Sequence, residues 1–412
     1  ECIDLALARG AELELREANR DAAIAQRDQA QANYLPKLKL DGGIQVWDSE
    51  QVAAFDVGIP GVDIPPFVVR KQVTWSLNIT LAQPLSGLWQ VSIADALTSM
   101  GVDLAELERD AARLDKATTV VEAWLQNVLA RELVEVRKTS LAQRSSDRER
   151  AGALVRGGVL VEADLLRADL GVMEARQSLS QAERQASLAR ARLTQLVGEP
   201  RTALAAGPTA HGALVGSLAE AKTQALVHRI EVKQVTSKVT QAERAVDLAW
   251  SKLVPTVNLV AQAQFSRPSA FSQDAVAFVG VTFDWMAWDW GATSKGIDEA
   301  RAHVRAARAG LRQLEDGIQL EVESAWVDLA AAEDQQKLAA EAARVAGENY
   351  ALVQKRFGAK AATSFDLVEA ESALTKARLD EKLAHVNGLM ARARLARAIG
   401  KTATEIAREG TP

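Results

Sequence analysis

Val73-Thr74-Trp75-Ser76-Leu77-Asn78-Ile79-Thr80-Leu81 alternates without a break between apolar and polar side chains. It opens a run, residues 72–94, that carries no charge and whose length superficially suits a membrane-spanning helix. The period decides otherwise. Val73, Trp75, Leu77, Ile79 and Leu81 share one face, Thr74, Ser76, Asn78 and Thr80 the other, and Gln72, Gln83, Pro84 and Gln90 interrupt the apolar character. A period of two is a β-strand with one apolar and one polar side.

Three more stretches read the same way. Leu38, Leu40, Ile44 and Val46 alternate with Lys39, Asp41 and Gln45. Val257, Leu259, Ala261, Ala263 and Phe265 alternate with Asn258, Gln262, Gln264 and Ser266, and Val279, Val281, Phe283 and Trp285 with Gly280, Thr282 and Asp284. Each segment runs roughly ten residues, the length that crosses an outer membrane as a tilted strand. For any single strand, a hairpin packed on a soluble core is the plainer reading. The flanking sequence, however, offers no globular core for four such faces. Apolar-out, polar-in strands with aromatics near their ends suit a water-filled barrel, and Trp47, Trp75, Trp89, Trp285, Trp288 and Trp290 would then lie at the membrane interface. Four strands cannot close a spanning barrel, so closure would need several chains.

Composition supports this division. Fourteen of the 19 aromatic residues and seven of the 10 prolines fall in residues 34–90 or 250–290, which are also poor in charge. The rest of the 412-residue chain is charged and nearly free of proline, with none between Pro84 and Pro200. Ile93, Leu97, Met100, Leu104, Leu107, Ala111, Leu114, Thr118, Val121, Leu125 and Val128 step by four and three, as do Ile297, Ala300, Val304, Ala307, Leu311, Leu314 and Ile318. A sustained 3.5-residue period is a coiled-coil seam on a long helix. On the helices alone, a solvated rod would be the first reading.

Several function classes drop out. A net charge of −5 argues against a nucleic-acid partner. The single cysteine, Cys2, permits no intrachain disulfide and no cysteine-based zinc site. His211, His228, His303 and His385 show no metal-ligand spacing, and HExxH, GxSxG and CxxC are absent, so neither an enzyme nor a cofactor is expected. Ile399-Gly400-Lys401-Thr402 imitates the end of a P-loop, but Leu395 stands where its first glycine should be. Four methionines argue weakly against a copper-specific path.

The chain also repeats itself. Leu35-Pro36-Lys37-Leu38-Lys39-Leu40 corresponds to Val254-Pro255-Thr256-Val257-Asn258-Leu259. Ala123-Trp124 matches Ala325-Trp326, Asp164-Leu165 matches Asp366-Leu367, and Leu193 through Gly198 matches Leu395 through Gly400, all three at an offset of 202. Each half reads helix, strand, loop, strand, long helix, tight turn, helix.

This ordered duplication resembles the TolC-like outer membrane efflux protein family. Glu1-Cys2-Ile3-Asp4-Leu5-Ala6-Leu7-Ala8 is similar to its first periplasmic helix, and Tyr34-Leu35-Pro36-Lys37-Leu38 to its first strand entry. Pro84-Leu85-Ser86-Gly87 and Asp289-Trp290-Gly291 resemble its strand-to-helix junctions, and residues 153–198 and 355–400 its two periplasmic tips. The resemblance implies a mainly α membrane protein with β: a long coiled-coil α-helical barrel plus four strands per chain of a trimeric 12-stranded β-barrel. Residues 34–90 and 254–291 would supply the strands and extracellular loops. Residues 1–33, 91–253 and 292–412 would form the periplasmic tunnel, with equatorial connections near 200–216. The implied function is the exit duct of a tripartite efflux or type I secretion system in the outer membrane. It would work as a homotrimer in outer-membrane lipid with a periplasmic adaptor and an inner-membrane pump. The competing reading is a non-channel helical scaffold or adhesin stalk with two β-hairpins.

The resemblance places Asp366 and Glu369 at a periplasmic constriction, with Asp164 matching Asp366 and Arg167 standing where Glu369 would match. A second role fits the same residues, because Thr363-x-x-Asp366 resembles a helix cap. Gly158, Phe357, Gly358 and Lys360 fall at the tips and implied adaptor contact, Phe357 in the place of the family's gate aromatic. Two departures stand out: Gly10-Ala11 replaces Asn-Pro, and Lys360 replaces a tip glycine. No leader is visible before Glu1, which is read as a trimmed segment. Cys2 sits within a helical pattern rather than ahead of one, against a lipid anchor.

Overall fold

The computed structural model describes residues 2–8, 10–54, 58, 65–198, 214–269, 273–401 and 405. Most of the equatorial connection expected near 200–216, His211, Thr402 and part of the segment expected to form the first extracellular loop lie outside these residues. The chain runs α1 (Cys2–Ala8), α2 (Ala11–Gln31), β1 (Lys37–Val46), β2 (Gln51–Ala53), β3 (Phe67–Pro84), α3 (Gly87–Arg156) and α4 (Glu162–Val197). The second half runs α5 (Leu218–His228), α6 (Ile230–Ser251), β4 (Thr256–Ser269), β5 (Ala275–Asp284), α7 (Ala292–Gly358) and α8 (Ser364–Ala398). Helices with a few strands, repeated twice, are the architecture the sequence implies. No helix among the described residues is long and apolar enough to cross a membrane.

Two units divide the chain, one of Glu1–Ala18, Leu107–Val235 and Gly310–Pro412, the other of Asn19–Glu106 and Thr236–Ala309. The second unit holds the sheet. Its strands follow the order β1-β3-β4-β5, all antiparallel, with short β2 also paired to β3. The register carries the alternation from β1 through residues 73–84 of β3 to β4 and β5. Leu38 faces Leu81, Leu40 faces Ile79, Ile44 faces Trp75 and Val46 faces Val73. Leu77 continues to Phe265, and Leu259 to Val281. One face is therefore continuously apolar, and it is bare: Leu38 is 65% exposed, Ile44 76%, Val279 74% and Phe283 74%. The opposite face carries Asp41, Asn78, Gln264 and Thr80, with Asn78 donating to Asp41 at 3.0 Å. Val276 and Phe278 also fall on that polar face, opposite Gln264 and Gln262.

Two features of the sheet differ from the alternation alone. β3 begins at Phe67, ahead of the quoted stretch, and β2 is an additional three-residue strand. Neither has a periodic signature of its own; pairing with a neighbour defines them. β3 and β4 pair along most of their length, so the two halves of the repeat fuse into one sheet instead of forming separate hairpins. Ser86 fastens this join, accepting from the Val257 N–H at 2.7 Å and donating to the Pro255 carbonyl at 2.7 Å.

The helices obey their seams. α3 has 70 residues and α7 has 67, each about 100 Å at 1.5 Å per residue. Ile93, Val121 and Leu125 on α3, and Ile297 and Ile318 on α7, are buried, and the seam positions between them are at least half covered. α7 starts under Asp289, whose carboxylate accepts the Thr293 N–H at 2.7 Å and the Gly291 N–H at 3.0 Å. α4 stops at Gly198 in the left-handed region, φ 82°. In the first unit, α5 packs Ala221 and Ala225 against Ile318 and Val322 of α7, Leu395 of α8 and Ile399 just past its end.

Candidate functional site at the helical tips

The two helical turns of the repeat, α3 to α4 and α7 to α8, have the same backbone. In the first, Val159 N–H bonds the Leu154 carbonyl and Gly158 N–H the Val155 carbonyl; in the second, Ala361 bonds Arg356 and Lys360 bonds Phe357. Each is a Schellman ending with its left-handed residue at an equivalent position, Gly158 at φ 70° and Lys360 at φ 63°. The tip glycine is thus replaced by a lysine that adopts the glycine conformation, and Gly358 remains inside α7 with open space around it. Gly158, Gly358 and Lys360 are all exposed.

The turns differ where the following helices begin. Thr363 builds a capping box: its hydroxyl accepts the Asp366 N–H at 3.1 Å, and the Asp366 carboxylate accepts the Thr363 N–H at 2.8 Å. The first turn has Val161 there, with no side chain able to cap α4. Hydrogen bonds from the Thr363 N–H and hydroxyl hold the Asp366 carboxyl below its usual value of 3.8. Asp366 and Glu369 are exposed on the face opposite the buried Leu367, Ala370 and Leu374. Asp366 therefore is a cap and also a solvent-facing carboxylate. Asp164 is used differently: it accepts from buried Ser364 of α8 at 2.5 Å and lies 3.6 Å from Arg167. That contact ties one tip to the other.

Phe357, expected at the tip, is a buried side chain. It is 3% exposed, packed with Tyr350, Leu367, Ala370 and Leu374 and against Leu154 and Leu160. Its ring is a core peg between the two hairpins, because apolar neighbours from both turns converge on it.

Above this peg lies a polar layer that no sequence pattern announces. Glu371 is 1% exposed, and its carboxylate accepts from Ser140 at 2.6 Å, Arg144 at 2.6 Å and Thr375 at 2.7 Å. Arg144 also donates to the Gly171 carbonyl at 3.1 Å and to Ser372 at 2.9 Å, so one guanidinium joins α3, α4 and α8. A Cβ at Gly171 would meet that guanidinium at 3.3 Å, closer than most such contacts. A turn lower, Tyr350 donates to Asp147 at 2.9 Å, with Arg150 at 3.2 Å and Gln354 bonded to the tyrosine oxygen. Burial pushes the Asp147 carboxyl up, against the pull of Tyr350 and Arg150, and burial with the neighbouring Asp147 charge pushes the Tyr350 hydroxyl up. These partners lie some 200 residues apart in sequence, beyond the reach of local spacing.

The tryptophans divide. Trp75, Trp89, Trp285, Trp288 and Trp290 are exposed, Trp290 to 89%, and Trp288 and Trp290 meet edge to face at 5.8 Å. Trp47 instead turns to the polar face, where its indole N–H donates to Thr74 at 3.0 Å. Among the described residues no group of three histidine, cysteine or acidic side chains is placed to hold a metal. Gly400 of the P-loop look-alike has φ 81° and closes α8 against His228 and Arg229.

A sheet with one bare apolar face and one hydrogen-bonding face, in a chain of long seamed helices, is the pattern of an outer-membrane channel protein. Comparison with known proteins agrees. The outer membrane efflux protein family model matches residues 2–199 and 222–401, and the chain belongs to that family. Protein CyaE of Bordetella pertussis is 29% identical over 346 residues, 81% of this chain and 69% of that protein. The outer membrane protein VceC of Vibrio cholerae superposes with a TM-score of 0.78 at 17% identity, covering 97% of this chain and 95% of that one. The open-state MtrE outer membrane channel of Neisseria gonorrhoeae gives 0.78 at 20% identity, covering 97% and 88%. The protein is thus an outer-membrane channel protein, and the scaffold alternative falls away.

Proposed function

We propose that three copies of this chain form the exit duct of a tripartite efflux or type I secretion system. The observation that carries this reading is the pair of sheet edges. Among the described residues β1 pairs only with β3, and β5 only with β4, leaving the outer backbone of both without partners. Unpaired edges beside an exposed apolar face cannot persist in lipid, and closure into a barrel removes them. Three copies supply 12 long strands, within the range of outer-membrane barrels. The apolar face then meets lipid, the polar face lines water, and Trp75, Trp89, Trp285, Trp288 and Trp290 sit at headgroup level. In this reading residues 34–90 and 254–291 form the membrane portion and its loops, and the remainder the periplasmic tunnel.

At the tips, Asp366 and Glu369 of three chains would make a ring of six carboxylates, a field that attracts cations and slows anions. Gly158, Gly358 and Lys360 form the exposed surface that a periplasmic adaptor would contact, coupling the duct to an inner-membrane pump. Passage through it is passive: the pore supplies a shape and a field.

The test is reconstitution. Detergent extracts of outer membranes should yield a heat-modifiable trimer, and the purified trimer should conduct ions across a planar bilayer. A soluble monomer in those extracts would sink the proposal.

A further inference from the structure

The cations of the sheet differ in how they are compensated among the described residues. Lys39 lies 3.3 Å from Asp41, and Arg267 lies 2.7 Å from Asp274, so each has a carboxylate beside it. Arg70 has none. Among the described residues its guanidinium forms no ion pair and no hydrogen bond, and its Nε is fully covered without an acceptor. Its one partner is an aromatic face: the guanidinium carbon sits 3.6 Å from the centroid of Trp47. Trp47 is itself locked, because its indole N–H donates to Thr74 and its backbone N–H to the Gln72 carbonyl at 2.7 Å.

Local strand geometry sets this arrangement. The pairing of β3 slips twice here, against β4 between Arg70 and Trp75, and against β2 between Gln51 and Val52. Bulges re-aim side chains at barrel rims. The result is a hollow of about 340 Å³ lined by Gln45, Trp47, Gln51, Arg70, Thr74 and Ser76 among others. Amide and hydroxyl groups, together with Arg267 held by Asp274, surround the stacked guanidinium of Arg70, and no carboxylate is among the residues that line the hollow. A guanidinium held flat on an indole is preorganised, so little side-chain entropy is lost when its free N–H edge takes a planar or tetrahedral oxyanion.

We infer that Arg70 and Trp47 form an anion-binding site on the polar face, one per chain, for carboxylate- or phosphate-bearing solutes. The inference rests on the channel reading, in which this face lines the pore. Three such sites would give the β-barrel a selectivity opposite in sign to the acidic tips. The shared chemistry has two sources, a soluble anion inside the pore or a lipopolysaccharide phosphate reaching over the rim, and the position on the polar face favours the soluble anion.

Inorganic tripolyphosphate is the probe. Titrated calorimetrically into the purified detergent-solubilised trimer, it should bind, and R70Q should weaken that binding at least tenfold. R70K, which keeps the charge but loses the planar stack, should fall between. W47L should weaken binding several-fold, and K71Q, which removes the adjacent charge, should leave it unchanged. In planar bilayers tripolyphosphate should block wild-type channels and R70Q channels far less. Equal binding by wild type and R70Q, or an equal loss in K71Q, overturns the site. Binding of lipopolysaccharide but not tripolyphosphate overturns the soluble-anion assignment. Should the trimer conduct nothing, the channel reading fails, while calorimetry still decides the site.

Discussion

Lys360 and Val161 break local rules at equivalent turns, and each suggests a measurement. A non-glycine residue in the left-handed region costs about 1–2 kcal/mol, more than the roughly 0.5–1 kcal/mol of unfolded-state entropy a glycine adds. Lys360→Gly should therefore stabilise the protein, by up to about 1 kcal/mol in denaturant unfolding followed by circular dichroism. Thr363→Val should cost about 1 kcal/mol by removing the cap. Its hydroxyl and the capping geometry also hold Asp366 below 3.8, so the same substitution should raise the pH at which that carboxylate is protonated. The deeper residues respond more strongly. Glu371→Ala leaves the largely covered Arg144 without its main partner and should cost about 3–5 kcal/mol, against much less for Glu371→Gln. Asp147 has a raised folded value, so its favourable contribution is complete below the ordinary carboxylate pKa of 3.8 and is lost as pH rises through the folded value. Asp147→Asn keeps an acceptor for Tyr350 and removes that loss. Its stability relative to wild type should improve as pH rises above the ordinary carboxylate value of 3.8, and a constant difference would refute the assignment.

At the scale of elements, strands and seams were legible because each carries a period. Alternation in residues 73–81 survives as β3, and the four-three stepping of Ile93 to Val128 survives as the inward line of α3. β2 was not legible, since three residues hold no period. Nor was the fate of Phe357 or Trp47: an aromatic beside a turn can face solvent or the interior, and the packing of both hairpins chooses. The Asp147–Tyr350 and Arg144–Glu371 pairs were illegible for the same reason, since their partners approach only when distant helices pack. The bare face of the sheet predicts its own mutational profile. Val279→Arg should cost about 2–4 kcal/mol of insertion free energy if it lies near the bilayer centre, read as loss of heat-modifiable trimer after folding into vesicles. Thr282→Lys, on the polar face, should fold normally.

For the whole molecule, the proposed duct would carry two charged features of opposite sign, the acidic tips and the stacked Arg70. Asp366→Asn with Glu369→Gln should reduce cation selectivity, seen as a reversal-potential shift in a salt gradient, and should weaken block by multivalent cations. An unchanged reversal potential would leave Asp366 as a cap and nothing more. The amino-acid sequence by itself determined the class of elements, their duplication and the alternating strands, because period and composition are local properties that survive any arrangement. Only the tertiary structure decided that the two halves share one sheet, that Lys360 takes a glycine's backbone, that Phe357 is buried and that Trp47 carries Arg70. Those outcomes depend on contacts between residues far apart in the chain, and a contact energy has no value until the fold brings its two partners together.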